Sequence, residues 1–209
     1  MTVTLALLRH GETPWSRDKR VQGRTDIGLT DTAAATLARQ TLPPECDGLQ
    51  VVTSPLARCV QTAAQLRLDS ATIDTRLAEM AWGQWEGRRL ADLRSELGSA
   101  MAQNEARGWD FLPPGGESPR LVWQRVQPCL VAWAAQRHPT LAVTHRGVIR
   151  VILAQATGWD MLGKPPAKLD WNALQFFTLD ARGMPSVLRL NLPLAAHPAT
   201  PIDGSGKTP

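Results

Sequence analysis

Three places in this chain set histidine or arginine at or just after the end of a short apolar run. Val3 to Leu8 leads into Arg9-His10-Gly11-Glu12-Thr13, Leu49 to Thr53 leads into Ser54-Pro55-Leu56-Ala57-Arg58, and Thr140 to Thr144 leads into His145-Arg146-Gly147. A neutral imidazole is a competent nucleophile. Paired guanidinium groups can clamp the non-bridging oxygens of a phosphoryl group, where charge sits in the transition state. A second imidazole can donate a hydrogen bond to the same oxygens. Together, Arg9, His10, Arg58 and His145 suit phosphoryl transfer with His10 as nucleophile. No metal or other cofactor is expected, because the cations are side chains. Departure of the leaving group needs a proton donor. Glu79, in Leu77-Ala78-Glu79-Met80-Ala81-Trp82-Gly83, lies in a turn-rich stretch near aromatic residues. Partial desolvation there raises a carboxyl pKa. Taken singly, each residue has a plainer reading: His10 in a surface pair, Arg58 in a helix salt bridge, His145 as a satisfied core histidine, Glu79 as a structural acid. The repetition of one junction three times favours the chemical reading.

These residues meet only if the runs that precede them are parallel strands of one sheet. Carboxyl ends of parallel strands share an edge, and ligands bind there. The rest of the pattern agrees. Thr30 is a suitable N-cap for a helix over Asp31–Gln40, which Pro43-Pro44 stops. Ser54-Pro55 reads as an N-cap with proline in the first helical position, opening a helix to about Leu68. A short strand is expected over Ala71–Asp74, and helices over Leu90–Leu97 and Ala100–Arg107. Pro113-Pro114-Gly115-Gly116 is a break. Ser118-Pro119 repeats the capping device ahead of a helix to about Arg137, which Pro128 should kink or divide. Gly147–Ala156 reads as a helix, and Trp171–Leu179 and Ser186–Leu192 as strands that form a hairpin or flank the sheet separately. Strands alternating with helices imply an α/β sheet covered on both faces. One domain over residues 1–196 is expected, with a cap-like insertion at about 77–117 and a flexible tail over 197–209.

The charge balance is +4, carried by 19 arginines and four lysines. Arginine grips phosphate through a planar fork, although overall sequence bias accounts for much of the excess. No run of five basic residues occurs, so a nucleic-acid tail is not expected. No stretch approaches the roughly 18–20 apolar residues of a membrane span. Arg9-His10 interrupts the first apolar run too early for a signal peptide. Cys46, Cys59 and Cys129 have neither disulfide-framework nor zinc-site spacing, and Cys59 and Cys129 read as small core residues. A cytoplasmic protein with no membrane or nucleic-acid partner is the expectation.

Leu8-Arg9-His10-Gly11-Glu12-Thr13, Ser54-Pro55-Leu56-Ala57-Arg58-Cys59-Val60-Gln61-Thr62-Ala63, Glu79 with Gly83-Gln84-Trp85-Glu86-Gly87, and Thr144-His145-Arg146-Gly147-Val148-Ile149-Arg150 occur in that order. Together they resemble the blocks of the histidine phosphatase superfamily, the phosphoglycerate-mutase-like group, over roughly residues 3 to 192. The resemblance implies a three-layer α/β/α sandwich with a mostly parallel sheet. It implies His10 as the phosphorylated residue, Arg9, Arg58 and His145 as the rest of the phosphate pocket, and Glu79 as proton donor. Gln22-Gly23 through Asp26 resembles the substrate-side loop, which with Ser16 makes Ser16, Gln22 and Gly23 expected substrate contacts. Two departures stand out. Ser16 follows Trp15 where asparagine is frequent, and Ile27-Gly28 replaces a small residue and proline.

Within that resemblance the expected function is a metal-independent phosphomonoesterase acting on a small phosphorylated metabolite. Its subgroup resemblance is to alpha-ribazole phosphatases and broad-specificity phosphatases. A mutase-type phosphotransferase is the alternative, disfavoured by the absence of an Arg-His-Tyr-Gly segment and of any tyrosine. A non-catalytic anion-binding protein is the second alternative. Trp82, Trp85 and Trp109 either line an apolar substrate wall or belong to the core, the latter for at least two of them. The oligomeric state is left open, a homodimer being one option.

Overall fold

The computed structural model describes residues 2–197. Its centre is a six-stranded sheet. Strands β1 (Val3–Arg9), β3 (Gln50–Thr53), β4 (Thr72–Ile73) and β5 (Thr140–Thr144) are parallel, in the order β4-β3-β5-β1. Beyond β1 lie β6 (Ala173–Leu179) and β7 (Pro185–Pro193), both antiparallel to their neighbours. The hairpin alternative for the last two strands is therefore the one realised. A separate two-stranded ribbon pairs β2 (Gln40–Thr41) with β8 (Ala195–Ala196).

The strand pattern assigns each sheet face. Leu5 and Leu7 point to one side, where α6 (Pro119–Gln136) and α7 (Arg146–Thr157) bury Val122, Val126, Ile149 and Ile152 against them. Ala6 and Leu8 point to the other, covered by α2 (Asp31–Leu37), while α3 (Ala57–Gln65) sets Cys59 and Ala63 on Val143 of the same face. Burying a side chain such as Leu5 or Leu7 contributes about 1.5–3 kcal/mol. The result is an α/β/α sandwich. Between β4 and α6, residues 77–117 carry α4 (Leu90–Leu97) and α5 (Ser99–Glu105) around a small cluster of Trp85, Leu93 and Met101. No helix among the described residues is long and apolar enough to cross a membrane.

Several local expectations change. Ser54 does not cap α3, whose N-cap is Leu56. The Ser54 hydroxyl is held by the His145 ring, and Asp26 Oδ1, from a distant loop, accepts the N–H of Ala57 at 2.8 Å instead. Thr30 and Ser118 cap as expected, accepting from the Ala33 and Leu121 N–H groups. Pro128 does not divide α6, which runs unbroken from Pro119 to Gln136. An interior proline costs about 3 kcal/mol. Trp123, Val126, Cys129, Leu130 and Trp133, buried on both sides of it, offset that loss. The Asp31 helix ends at Leu37, and Gln40 pairs with β8. A short helix not foreseen, α1 (Pro14–Arg17), is closed by a capping box between Thr13 and Ser16. Apart from His197, whose N–H donates to the Arg39 carbonyl, the predicted tail lies outside the described residues.

Candidate active site

The ends of β1, β3 and β5 form one row. Arg9 is in register with Thr144, Thr53 with Val143, and the His10 N–H donates to the Thr144 carbonyl at 3.0 Å. His10, Arg58 and His145 thus gather at one sheet edge, at 3%, 0% and 0% exposure, and Glu79 adjoins them at 9%. The two imidazole centroids are 5.2 Å apart.

His10 Nδ1 lies 2.7 Å from the Gly11 carbonyl oxygen, which can only accept. Nδ1 therefore carries the hydrogen and Nε2 keeps its lone pair. Nε2 makes no hydrogen bond among the described residues. Burial, then Arg9 and Arg58, hold the His10 pKa well below its usual value, against a smaller opposing effect from Gly11. The ring is neutral at physiological pH. The Gly11 N–H donates to Thr62 Oγ1, whose hydroxyl donates to the Arg58 carbonyl, tying this turn to α3.

Arg58 is held on three sides. Its Nη2 donates to the Gly23 carbonyl at 2.8 Å, Nη1 to the Thr25 carbonyl at 2.9 Å, and Nε to His145 Nδ1 at 3.3 Å. Because Nε can only donate, His145 Nδ1 accepts, and Nε2–H of His145 donates to Ser54 Oγ at 2.7 Å. To reach a phosphoryl oxygen from Nε2, His145 would release Ser54. Cys59 Sγ is also 3.4 Å from this nitrogen, so this thiol borders the site as well as the core. Burial pushes the Cys59 pKa up and keeps it a thiol. Arg9 is less engaged: its buried Nε has no hydrogen-bond partner among the described residues. An unpartnered donor in an arginine pocket is a place for an anion.

Glu79 faces the start of α7. Its Oε1 accepts from the Met80 N–H at 2.9 Å and the Gly147 N–H at 3.0 Å, and Oε2 receives only a longer contact of 3.3 Å from Gly147. Burial raises its pKa, against the Met80 N–H, Arg58, Arg9 and Gly147. A Cβ at Gly147 would come within 2.3 Å of Glu79 Oε1, so a larger residue there would displace the carboxylate.

The 22–26 loop is positioned by residues to which sequence reasoning gave no role. Glu86 accepts from the backbone N–H groups of Arg24, Thr25 and Trp82 and from the Thr25 hydroxyl. Glu117 accepts from the Ala81 N–H, Arg24 and Arg125, and both arginines donate to the Glu79 carbonyl. Apart from Trp82–Glu86 and Arg125–Glu117, which are 4 and 8 positions apart, these pairs join residues 36 to 93 positions apart, beyond the reach of a short-range signal. Gly23, at φ +55°, turns its carbonyl onto Arg58. Gln22 Oε1 accepts the Thr13 hydroxyl at 2.7 Å, and Ser16 Oγ is engaged in the capping box. Gln22 Oε1 and Ser16 Oγ thus hold the loop and the turn that follow His10. Trp82, Trp85 and Trp109 all pack into hydrophobic clusters, Trp85 at 7% exposure. Among the described residues no group of three or more His, Cys, Asp or Glu is placed to hold a metal ion.

The chain resembles known proteins in sequence and in fold. Residues 5–192 match the model of the histidine phosphatase superfamily (branch 1). A glucosyl-3-phosphoglycerate phosphatase of Mycolicibacterium vanbaalenii is 31% identical over 76% of this chain and 78% of its own. A 2,3-bisphosphoglycerate-dependent phosphoglycerate mutase of Methylobacterium radiotolerans is 30% identical over 95% of each chain. A mycobacterial glucosyl-3-phosphoglycerate phosphatase solved with VO3 superposes with a TM-score of 0.70 at 25% identity, over 93% of this chain and 100% of the other. The relatives are phosphatases and phosphoglycerate mutases, and with its fold, its motifs and its matching model this chain belongs to branch 1 of the histidine phosphatase superfamily.

Proposed function

We propose that the protein is a phosphomonoesterase that hydrolyses a small phosphorylated metabolite through a phosphohistidine at His10 Nε2. The observation that carries this reading is the 2.7 Å bond from His10 Nδ1 to the Gly11 carbonyl, which leaves a neutral ring with its Nε2 lone pair free. In the first step that lone pair attacks phosphorus, the P–O ester bond breaks, and the leaving oxygen takes a proton from Glu79. Glu79 Oε2, with its weaker contact, is the oxygen that carries the proton. In the second step water attacks the phosphohistidine and gives a proton to the Glu79 carboxylate. The P–N bond breaks and inorganic phosphate leaves. Arg9 and Arg58 meet the charge on the transferring group, and His145 orients Arg58 or, on releasing Ser54, adds a further hydrogen bond.

A mutase is the second reading, favoured by the mutase relative aligned over 95% of both chains. Against it, the arginines that follow the acid block are engaged elsewhere: Arg88 with Glu96 and Arg89 with the Asp18 carbonyl. Each thus has a partner within the protein, Arg88 through Nη2 and Arg89 through Nε. Purified protein without added metal should release phosphate from p-nitrophenyl phosphate, and His10→Ala should lower kcat by at least about a thousandfold. Undiminished turnover in that variant would sink the mechanism. Transfer from 2,3-bisphosphoglycerate to monophosphoglycerate that outruns hydrolysis would establish the mutase instead. A wider panel, with alpha-ribazole phosphate and sugar phosphates, then ranks substrates.

A further inference from the structure

Arg146 is the first residue of α7 and is exposed. Its guanidinium carbon lies 5.0 Å from the centroid of the Trp171 ring, and that of Arg9 lies 5.9 Å from the same ring. One turn further, Arg150 is half-buried with its guanidinium carbon 4.9 Å from the Trp159 ring. Neither Arg146 nor Arg150 makes a hydrogen bond or ion pair among the described residues. Elsewhere arginines meet acids, as Arg125 does Glu117 and Arg120 does Asp110.

The helix dipole and the neighbouring cations oppose this arrangement, against the favourable contact of each guanidinium with its indole ring. A cation in the first turn of a helix opposes the helix dipole. Arg146 adds to a like-charged group of Arg9, Arg58 and Arg150, where Glu79 acts on Arg9 and Arg58, and Asp26 and Glu86 act on Arg58 alone. Burial and Arg146 push the Arg150 pKa down to about 10. Contact with an indole face leaves the in-plane N–H fork of a guanidinium free for a bidentate anion. The surface between them is also rigid. The Asp170 N–H donates to Asn191 Oδ1 at 2.7 Å, and its carbonyl accepts from the buried Gln175 at 2.9 Å, which fixes the backbone beside Trp171. Arg9, whose buried Nε has no hydrogen-bond partner among the described residues, is shared by the phosphate pocket and this patch through its approach to Trp171.

We propose that Arg146, supported by Arg150, binds a second anionic group of the substrate, a carboxylate or a second phosphate a few bonds from the reacting ester, with the carbon skeleton lying on Trp171. The inference rests on the phosphatase reading and makes Arg146 a specificity-determining residue.

Two matched pairs test it. 3-Phosphoglycerate and glycerol 3-phosphate differ by a carboxylate, and fructose 1,6-bisphosphate and fructose 6-phosphate by a second phosphate. The wild-type protein should favour the doubly anionic member of at least one pair by about tenfold or more in kcat/KM. Arg146→Gln should remove that preference and Arg146→Lys should keep part of it, relative to p-nitrophenyl phosphate measured alongside. A preference in the first pair alone assigns a carboxylate, and in the second alone a phosphate. No preference in either pair, or one that survives Arg146→Gln, overturns the inference. Failure of the wild type to hydrolyse even p-nitrophenyl phosphate would instead overturn the phosphatase reading. Calorimetric titration with the same pairs then decides the inference: discrimination lost in Arg146→Gln supports it, and equal binding of both members overturns it. An unchanged melting temperature for each variant shows that the fold is intact.

Discussion

The nucleophile side and the acid side of this site are held by different means. Arg9, His10 and His145 stand at the ends of β1 and β5, and the backbone ladder between those strands sets their spacing. Glu79 and the 22–26 loop lie on connections without a ladder. There, the half-buried carboxylates of Glu86 and Glu117 and the side chains of Arg24 and Arg125 take the ladder's place. A ladder is many weak bonds made by any sequence. A carboxylate accepting several N–H groups is one residue doing the same task, so one substitution can release the whole loop. The acid side should therefore be the more fragile to mutation away from the reacting atoms, and the nucleophile side more tolerant.

The largest effect on the acid side is expected at Glu79. Glu79→Gln should reduce kcat for alkyl phosphates by about 10²–10⁴-fold. p-Nitrophenyl phosphate should suffer far less, because its leaving group departs without a proton. Equal losses for both would show that Glu79 is not the proton donor. In the wild type, hydrolysis of alkyl esters should decline as pH rises through the raised Glu79 pKa, since the donor must be protonated.

Next comes Glu86, which touches no reacting atom. Glu86→Ala strands the N–H groups of Arg24, Thr25 and Trp82 and frees the carbonyls that grip Arg58. A drop of about 10–100-fold in kcat/KM is expected, with the alkaline limb of the pH profile kept and partial rescue by Glu86→Gln. If kcat/KM is unchanged while the melting temperature falls, Glu86 serves stability alone, and the contrast between the two sides loses its functional meaning.

The smallest effect is on stability. His10 and His145 are both held well below the usual histidine pKa, chiefly by burial. As pH falls below about 6.5 the unfolded chain takes up protons at both while the folded chain does not, so stability declines by up to about 1.4 kcal/mol per pH unit for each ring. Glu79 works the other way above about pH 4.5, because its folded pKa is raised. The net loss as pH falls is therefore smaller than the two rings alone would give. Urea melts between pH 5 and 7 should show it, and His10→Asn should flatten the dependence. An unaltered slope in that variant would mean that His10 titrates normally in the fold.

Arg9, His10, Arg58, Glu79 and His145 could be picked from the chain because each follows or opens a short local pattern: an apolar run, a turn or a helix start. The parallel strands and their covering helices were legible for the same reason, since β1 and β5 are buried on both faces and carry unbroken apolar runs. Local pattern failed where a side chain had two possible partners. Ser54 looked like a helix cap from its neighbours, but the approach of His145, 91 positions away, took its hydroxyl, and Asp26 capped the helix in its place. The same holds for Pro128, whose local penalty was outweighed by burial on both sides, and for Glu86, whose partners come from 61 and 62 positions back. Residue type and short spacing were sufficient to pick out His10 and the motif blocks of the family. Which groups hold the neighbours of His10, and which cations such as Arg146 are left without an acidic partner among the described residues, depends on long-range closure of the chain, because burial and pairing are properties of the packed molecule and are carried by no segment alone.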